Sequence, residues 1–187
     1  MSAPARRATI ADLYRTEGKA ELIEGRIISY PPHGMASGEA KGNIFYSLYV
    51  HAEKIGEGEA YSTTLGYVIP RLPNGRESFC ADTSYYCGPF PDDPWSFIYG
   101  SPTLAVEVRG EPDYGPVADA ARADKREDYF QAGTLVVWDV DPSSETITAY
   151  RRHQPSVIFR RGQIADAEPA VPGWRITVDE IFAEGGI

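Results

Sequence analysis

An acid, an acid and a lysine stand out in this sequence: Asp82, Glu107 and Lys125. Glu107 interrupts the strand-like run Leu104-Ala105-Val106-Glu107-Val108, where a charge among apolar neighbours must be paired, protonated or bound to a metal. Lys125 falls on the stripe Ala118, Ala121, Lys125, Tyr129 and Ala132, whose spacing of three or four puts them on one helix face. An ammonium there either snorkels past the core edge to water or meets an anion. The chain has 4 lysines against 14 arginines, so lysine is not its routine cation. Asp82, in Cys80-Ala81-Asp82-Thr83-Ser84, ends the polar side of a preceding strand. Two carboxylates on neighbouring strands and a cation from the next helix could hold Mg²⁺ against a phosphodiester. Mg²⁺ is commonly bound by one or two carboxylates, with substrate phosphate and water completing its shell. Plainer alternatives stand beside this chemistry. Arg109 shares a strand face with Ala105 and Glu107 and offers Glu107 a structural ion pair, and Asp82 alone reads equally as a strand end.

The elements that must position these residues follow from periodicity and turn chemistry. Thr9 with Asp12 three residues on resembles a helix start, giving a short helix over Ile10–Thr16. Glu21-Leu22-Ile23 and Arg26-Ile27-Ile28 flank Glu24-Gly25, a hairpin with a two-residue turn, and Pro31-Pro32 breaks the second strand. Ile44, Phe45, Leu48, Tyr49, Ala52 and Ile55 recur at helical spacing, predicting a long helix over Gly38–Ile55, capped by Ser37 and stopped by Gly56 and Gly58. A strand is predicted over Tyr61–Ile69, a turn at Pro73-Asn74-Gly75 and a return strand over Glu77–Tyr86. Gly88–Pro102 reads as a Pro- and aromatic-rich loop carrying Trp95, Phe97 and Tyr99.

The strand Thr103–Arg109 comes next, then a helix over Val117–Ala132 closed by Gly133, then Leu135–Trp138, a strand buried on both faces. Asp141-Pro142 turns the chain into strands over Thr146–Arg151 and Val157–Arg160, and a short helix over Val178–Phe182 ends it. The central strand–helix–strand unit implies a right-handed parallel crossover inside an otherwise antiparallel sheet. The fold class is α+β (mixed α/β), a mixed sheet flanked by helices with an N-terminal hairpin and a long helix.

Composition bounds the rest. At 187 residues the chain suits one domain, residues 1–187, and buries roughly 70% of its extended surface without a disulfide or metal staple. With 42% hydrophobic and 12% aromatic residues a packed core is expected, and disorder only at the ends, residues 1–8 among them. Cys80 and Cys87 match no zinc or redox spacing and read as reduced thiols on opposite strand faces. No apolar leader and no membrane-length apolar run occurs, so a cytoplasmic protein with no membrane partner is expected. The net charge of −9 argues against a non-specific nucleic-acid coat but leaves a nuclease open, since its acids gather at a metal. Arg151-Arg152 and Arg160-Arg161, the local basic concentration, read as solvated hairpin ends more readily than as a DNA-facing patch.

The order Asp82, Glu107 within Val106-Glu107-Val108, and Lys125 four residues before Tyr129 resembles the PD-(D/E)XK nuclease superfamily, and within it the Uma-two family of endonucleases. The likeness takes in Glu21-Leu22-Ile23-Glu24-Gly25, Pro31-Pro32 and the long helix, Trp138-Asp139-Val140-Asp141-Pro142, and Pro172-Gly173-Trp174, and spans nearly the whole chain. It implies a restriction-endonuclease-like core, often a homodimer, acting on nucleic acid, DNA before RNA. It also implies that Lys125 fills the superfamily's lysine role from the helix while Arg109 takes the usual lysine position. Glu21 matches an acidic position that can join the metal site; the plain alternative is an exposed hairpin carboxylate. Two positions depart from the pattern. Ser37 stands where many relatives carry a histidine, and Gly110 where they often have serine.

The expected chemistry is metal-assisted phosphodiester hydrolysis. Asp82 and Glu107 hold Mg²⁺, for which Mn²⁺ can substitute. Lys125 orients the attacking water or accepts its proton, Glu21 supplies a further ligand or holds that water, and Arg109 contacts phosphate or neutralises Glu107. One rival is an inactive nuclease-fold homodimer serving as a binding or regulatory module. Hydrolysis of another class has little support: His33, His51 and His153 are scattered and no G-x-S-x-G elbow occurs.

Overall fold

The computed structural model describes residues 6–62 and 64–183. Residues 1–5 of the end expected to be flexible lie outside them. Residues 6–8 are tied down instead, Arg6 to Asp12 and the Ala8 N–H to the Gly25 carbonyl at 2.7 Å. Thr9 and Asp12 form the expected capping box and start α1 (Ile10–Leu13), which gives way to a turn before Thr16. The hairpin is β1 (Ala20–Ile23) and β2 (Arg26–Ser29), joined by Glu24 at φ 54° and Gly25 at φ 72°. Positive φ at both turn residues gives the twist a tight hairpin needs.

The long helix α2 (Met35–Ile55) starts three residues earlier than expected, at Gly34 rather than Ser37. Ser37 lies inside it, buried, and its hydroxyl donates to the Arg109 carbonyl at 2.7 Å. Gly56, left-handed at φ 66°, ends the helix as expected.

The two strands predicted over Tyr61–Ile69 and Glu77–Tyr86 are each broken. The first is β3 (Glu59–Ser62) and β4 (Tyr67–Val68), with Thr63 outside the described residues; the second is β5 (Ser78–Phe79) and β6 (Thr83–Tyr86). The chain changes sheets at each break: β3 and β6 belong to the main sheet, whereas β4 and β5 form a small one with β7 (Ile98–Tyr99). That last strand arises inside the region read as a loop. Phe97 beside it stacks on Tyr14 at 3.9 Å, while Trp95 and Tyr99 are exposed.

The main sheet continues through β8 (Leu104–Val108), α3 (Pro116–Ala132), β9 (Val136–Asp141), β10 (Thr146–Arg151) and β11 (Val157–Phe159). Its order is β11-β10-β9-β8-β6-β3, parallel between β8 and β9 and antiparallel at every other pairing, as expected of a strand–helix–strand unit in an antiparallel frame. The small pair β12 (Ile164–Asp166) and β13 (Arg175–Thr177), not read from sequence, leads into α4 (Val178–Ile181).

Strand alternation puts the two faces of β8 into different cores. Leu104, Val106 and Val108 meet Ile44 and Leu48 of α2, with Trp138 stacked on Trp174 at 5.1 Å. Ala105 lies on the other face among Tyr129, Phe130, Phe79 and Val137. Glu107 opens toward that second face, where α3 crosses. Arg151 is not a solvated hairpin end but lies mostly buried against Asp166, whereas the half-exposed Arg161 pairs with Glu145 and Asp179. Cys80 is buried, Cys87 exposed, and both are free thiols. Among the described residues no helix is long and apolar enough to cross a membrane.

Candidate active site

The break between β5 and β6 makes the site. Where the ladder ends, the Val108 N–H lacks a strand partner and donates instead to Asp82 Oδ2 at 2.9 Å. This bond ties Asp82 to the residue after Glu107, so the two carboxylates are held side by side. Lys19 Nζ reaches both, 2.8 Å from Asp82 Oδ1 and 3.2 Å from Glu107 Oε2. Lys41, from α2, meets the same Asp82 oxygen at 2.9 Å.

Lys125 comes from α3 as its helical face predicts, and it does not snorkel to water. Its Nζ bridges Glu107 Oε1 at 2.7 Å and Glu21 Oε1 at 2.8 Å. Tyr129, one turn further along α3, donates its hydroxyl to the same Glu107 oxygen at 2.7 Å. Glu21 is not an exposed hairpin carboxylate but fully buried. It accepts from Lys125, the Cys80 N–H, Tyr30 and Arg76. Arg76 in turn holds Asp128, three residues beyond Lys125, at 2.7 Å.

The hairpin is seated on this arginine. Gly75, at φ 85°, sits so close to the hairpin turn that a Cβ there would lie 2.8 Å from Glu24 Cγ. The Glu24 N–H donates to the Gly75 carbonyl at 2.8 Å and Ile23 bridges to Arg76.

Burial alone would push the Glu107 carboxyl up, but Lys125 and Lys19 outweigh it and hold it well below the usual carboxylate range. Glu21 is likewise lowered, against its burial, by Lys125 and Arg76. Burial opposes the charge on Lys125, yet Glu107 and Glu21 raise its pKa above that of an ordinary lysine. The same contest raises Lys19, with Glu107 and Asp82 as its partners. Glu107, Glu21, Lys125 and Lys19 are therefore charged at neutral pH.

Arg109 does not pair with Glu107. Its guanidinium forks onto Asp139, 3.0 Å away, and onto Asp119 at 2.7 Å, while Arg122 reaches the other side of Asp139 at 2.6 Å. The two departures from the family pattern meet in space. The missing Cβ of Gly110 makes room for the His33 ring, which would otherwise come within 2.9 Å of it. His33 Nδ1 lies 2.8 Å from Lys41 Nζ, so an imidazole stands beside the site although residue 37 is serine.

These groups floor a cleft of about 360 Å³ whose lining includes Lys19, Tyr30, Asp82, Glu107, Lys125 and the apolar Ile28. Sequence reading placed Asp82, Glu107, Lys125 and Glu21, and the fold brings all four together. It missed Lys19, Lys41, Arg76 and Tyr30. The scarcity of lysine was a usable signal, since three of the four lysines converge here.

Among the described residues no three His, Cys, Asp or Glu side chains gather as a ready-made metal cage. The pair Asp82 and Glu107 still fits one divalent ion, because a single ammonium already reaches both. Their donors are hard oxygens, the kind Mg²⁺ and Mn²⁺ take.

A mixed sheet with this helix arrangement is a nuclease-like fold. The chain superposes with TM-score 0.72 on a crystal structure described as "a putative nuclease belonging to DUF820 from Anabaena variabilis ATCC 29413", at 18% identity over 89% of this chain and 91% of that one. At that identity the likeness shows the fold alone. The family model Uma2, described as "Putative restriction endonuclease", matches residues 8–179, and the chain belongs to that family. No curated protein matches the chain.

Proposed function

We propose that the protein is a metal-dependent endonuclease hydrolysing phosphodiester bonds of DNA. The observation that carries this reading is the pair Asp82 and Glu107, close enough to share one cation, with Lys125 against Glu107 on a cleft floor. The two carboxylates hold Mg²⁺ or Mn²⁺, which when bound polarises the scissile phosphate and offsets the charge growing on it. Lys125, fixed as a cation by Glu21 and Glu107, orients the attacking water and stabilises it as hydroxide. The water oxygen joins phosphorus as the bond to the leaving ribose oxygen breaks; the water gives up its proton to solvent, and the leaving oxygen takes one from solvent. Glu21, with both oxygens engaged, is a positioning residue that aims Lys125; Tyr129 does the same for Glu107.

Nicking of a supercoiled plasmid tests this, because a closed circle has no ends for an exonuclease. Wild type is expected to nick it with Mg²⁺ or Mn²⁺ and to stop when the metal is chelated. Asp82→Ala and Glu107→Ala should fall to background, and Lys125→Met by about 10²–10³-fold. Full activity in either alanine variant contradicts the assignment. Hydrolysis of RNA alone would move the substrate, and no cleavage of any nucleic acid would favour the binding-module reading.

A further inference from the structure

The metal reading leaves the two cations on Asp82 without a role. Lys125 is braced by Glu21, and Arg76 by Glu21 and Asp128, all from elements packed on the core. Lys19 precedes β1 and lines the cleft, and Lys41 rises from α2; their ammoniums share one oxygen, Asp82 Oδ1. A lysine is a point charge on a flexible four-carbon stem and can exchange one anion for another without losing its backbone seat.

The charges also balance as they stand. Glu21, Asp82, Glu107 and Asp128 face Lys19, Lys41, Lys125 and Arg76, four of each sign. Adding a divalent ion between Asp82 and Glu107 displaces Lys19 and leaves an excess of two positive charges in a cleft with apolar walls. Repulsion at that range is large, and an incoming anion is what relieves it.

Resting on the metal site proposed above, we infer that Lys19 and Lys41 are movable counter-ions. They neutralise Asp82 and Glu107 while no metal is bound, and turn to the substrate phosphate when a divalent ion takes their place. Metal and phosphate therefore bind cooperatively, each raising the affinity for the other by the same factor.

The test is the affinity for Mn²⁺, read from the signal of free Mn²⁺ by electron paramagnetic resonance, with and without thymidine 3′,5′-bisphosphate. Removing a counter-ion should tighten metal binding, whereas removing a merely structural lysine should loosen it. Lys19→Met is expected to bind Mn²⁺ alone about 10-fold tighter than wild type. The bisphosphate should tighten Mn²⁺ on wild type by about 5–150-fold, a gain reduced in Lys19→Met. Lys41→Met, whose ammonium meets the same oxygen, should shift affinity in the same direction and serves if Lys19→Met fails to fold. Equal or weaker Mn²⁺ binding by the folded lysine variants, with binding still lost in Glu107→Ala, overturns the counter-ion role and leaves the metal site standing. Mn²⁺ binding unaffected by Glu107→Ala, or absent from wild type even with the bisphosphate, overturns both.

Discussion

Glu21 accepts four hydrogen bonds and touches no solvent, so it marks how much of this site is bracing. Its partner Arg76 neutralises two buried carboxylates at once. Arg76→Ala takes the arginine from Asp128 and leaves Glu21 with Lys125 alone, and is expected to cost about 3–5 kcal/mol of stability, measured by urea denaturation. A loss under 1 kcal/mol would show that water reaches Glu21 and Asp128. Tyr129→Phe keeps the ring stacked on Phe79 but removes the donor to Glu107, with an expected loss of about 1.5–3 kcal/mol. Glu107 and Lys125 were legible because each breaks an apolar pattern, one inside a strand and one on a helix stripe. Lys19, Lys41 and Arg76 break none. They lie in polar or turn sequence, and only chain closure over long separations makes them neighbours.

The hairpin β1–β2, the β4–β5 turn and α3 converge on one carboxylate, so distortion of an element should reach the site. Gly75→Ala puts a side chain at positive φ and against Glu24. It is expected to destabilise by about 1–3 kcal/mol, and to lower plasmid nicking more than Gly18→Ala, another positive-φ glycine with open space around it. Equal nicking by the two variants would show that the hairpin seat does not position Lys125. The hairpin, α2, α3 and the parallel pair β8–β9 were readable because local pattern and final pairing agree. The breaks between β3 and β4 and between β5 and β6 were not. Cys80-Ala81-Asp82 carries no proline or glycine to interrupt a strand, and the interruption comes from a change of sheet. That change puts Asp82 beside Val108, so the least legible stretch is the one that builds the acid pair.

The whole molecule is acidic, with net charge −9, yet its acid cluster gathers three of four lysines. Nucleic acid is therefore expected to bind through few phosphate contacts. The slope of log K against log salt should be about −2 to −3 for duplex DNA, measured with metal present. A slope of −6 or steeper would point to a basic surface elsewhere. Acid should unfold the protein through its buried carboxylates. Glu21, Glu107 and Asp139 are all held below their ordinary values, Asp139 against its burial by Arg109 and Arg122. The stability they contribute is fully present above the unfolded-state values near pH 4 and is lost as pH falls through the lower folded values. Urea midpoints are expected to agree at pH 7 and pH 6 and to drop steeply below pH 4. A midpoint unchanged to pH 3 would contradict the charged assignment of these acids.

The shared-cation claim is tested most directly by anomalous diffraction from crystals soaked in Mn²⁺ and thymidine 3′,5′-bisphosphate. One anomalous peak is expected between the Asp82 and Glu107 carboxylates, with the Lys19 ammonium moved off them towards a phosphate oxygen. A peak elsewhere, or Lys19 still bridging the two acids with no metal between them, would contradict it.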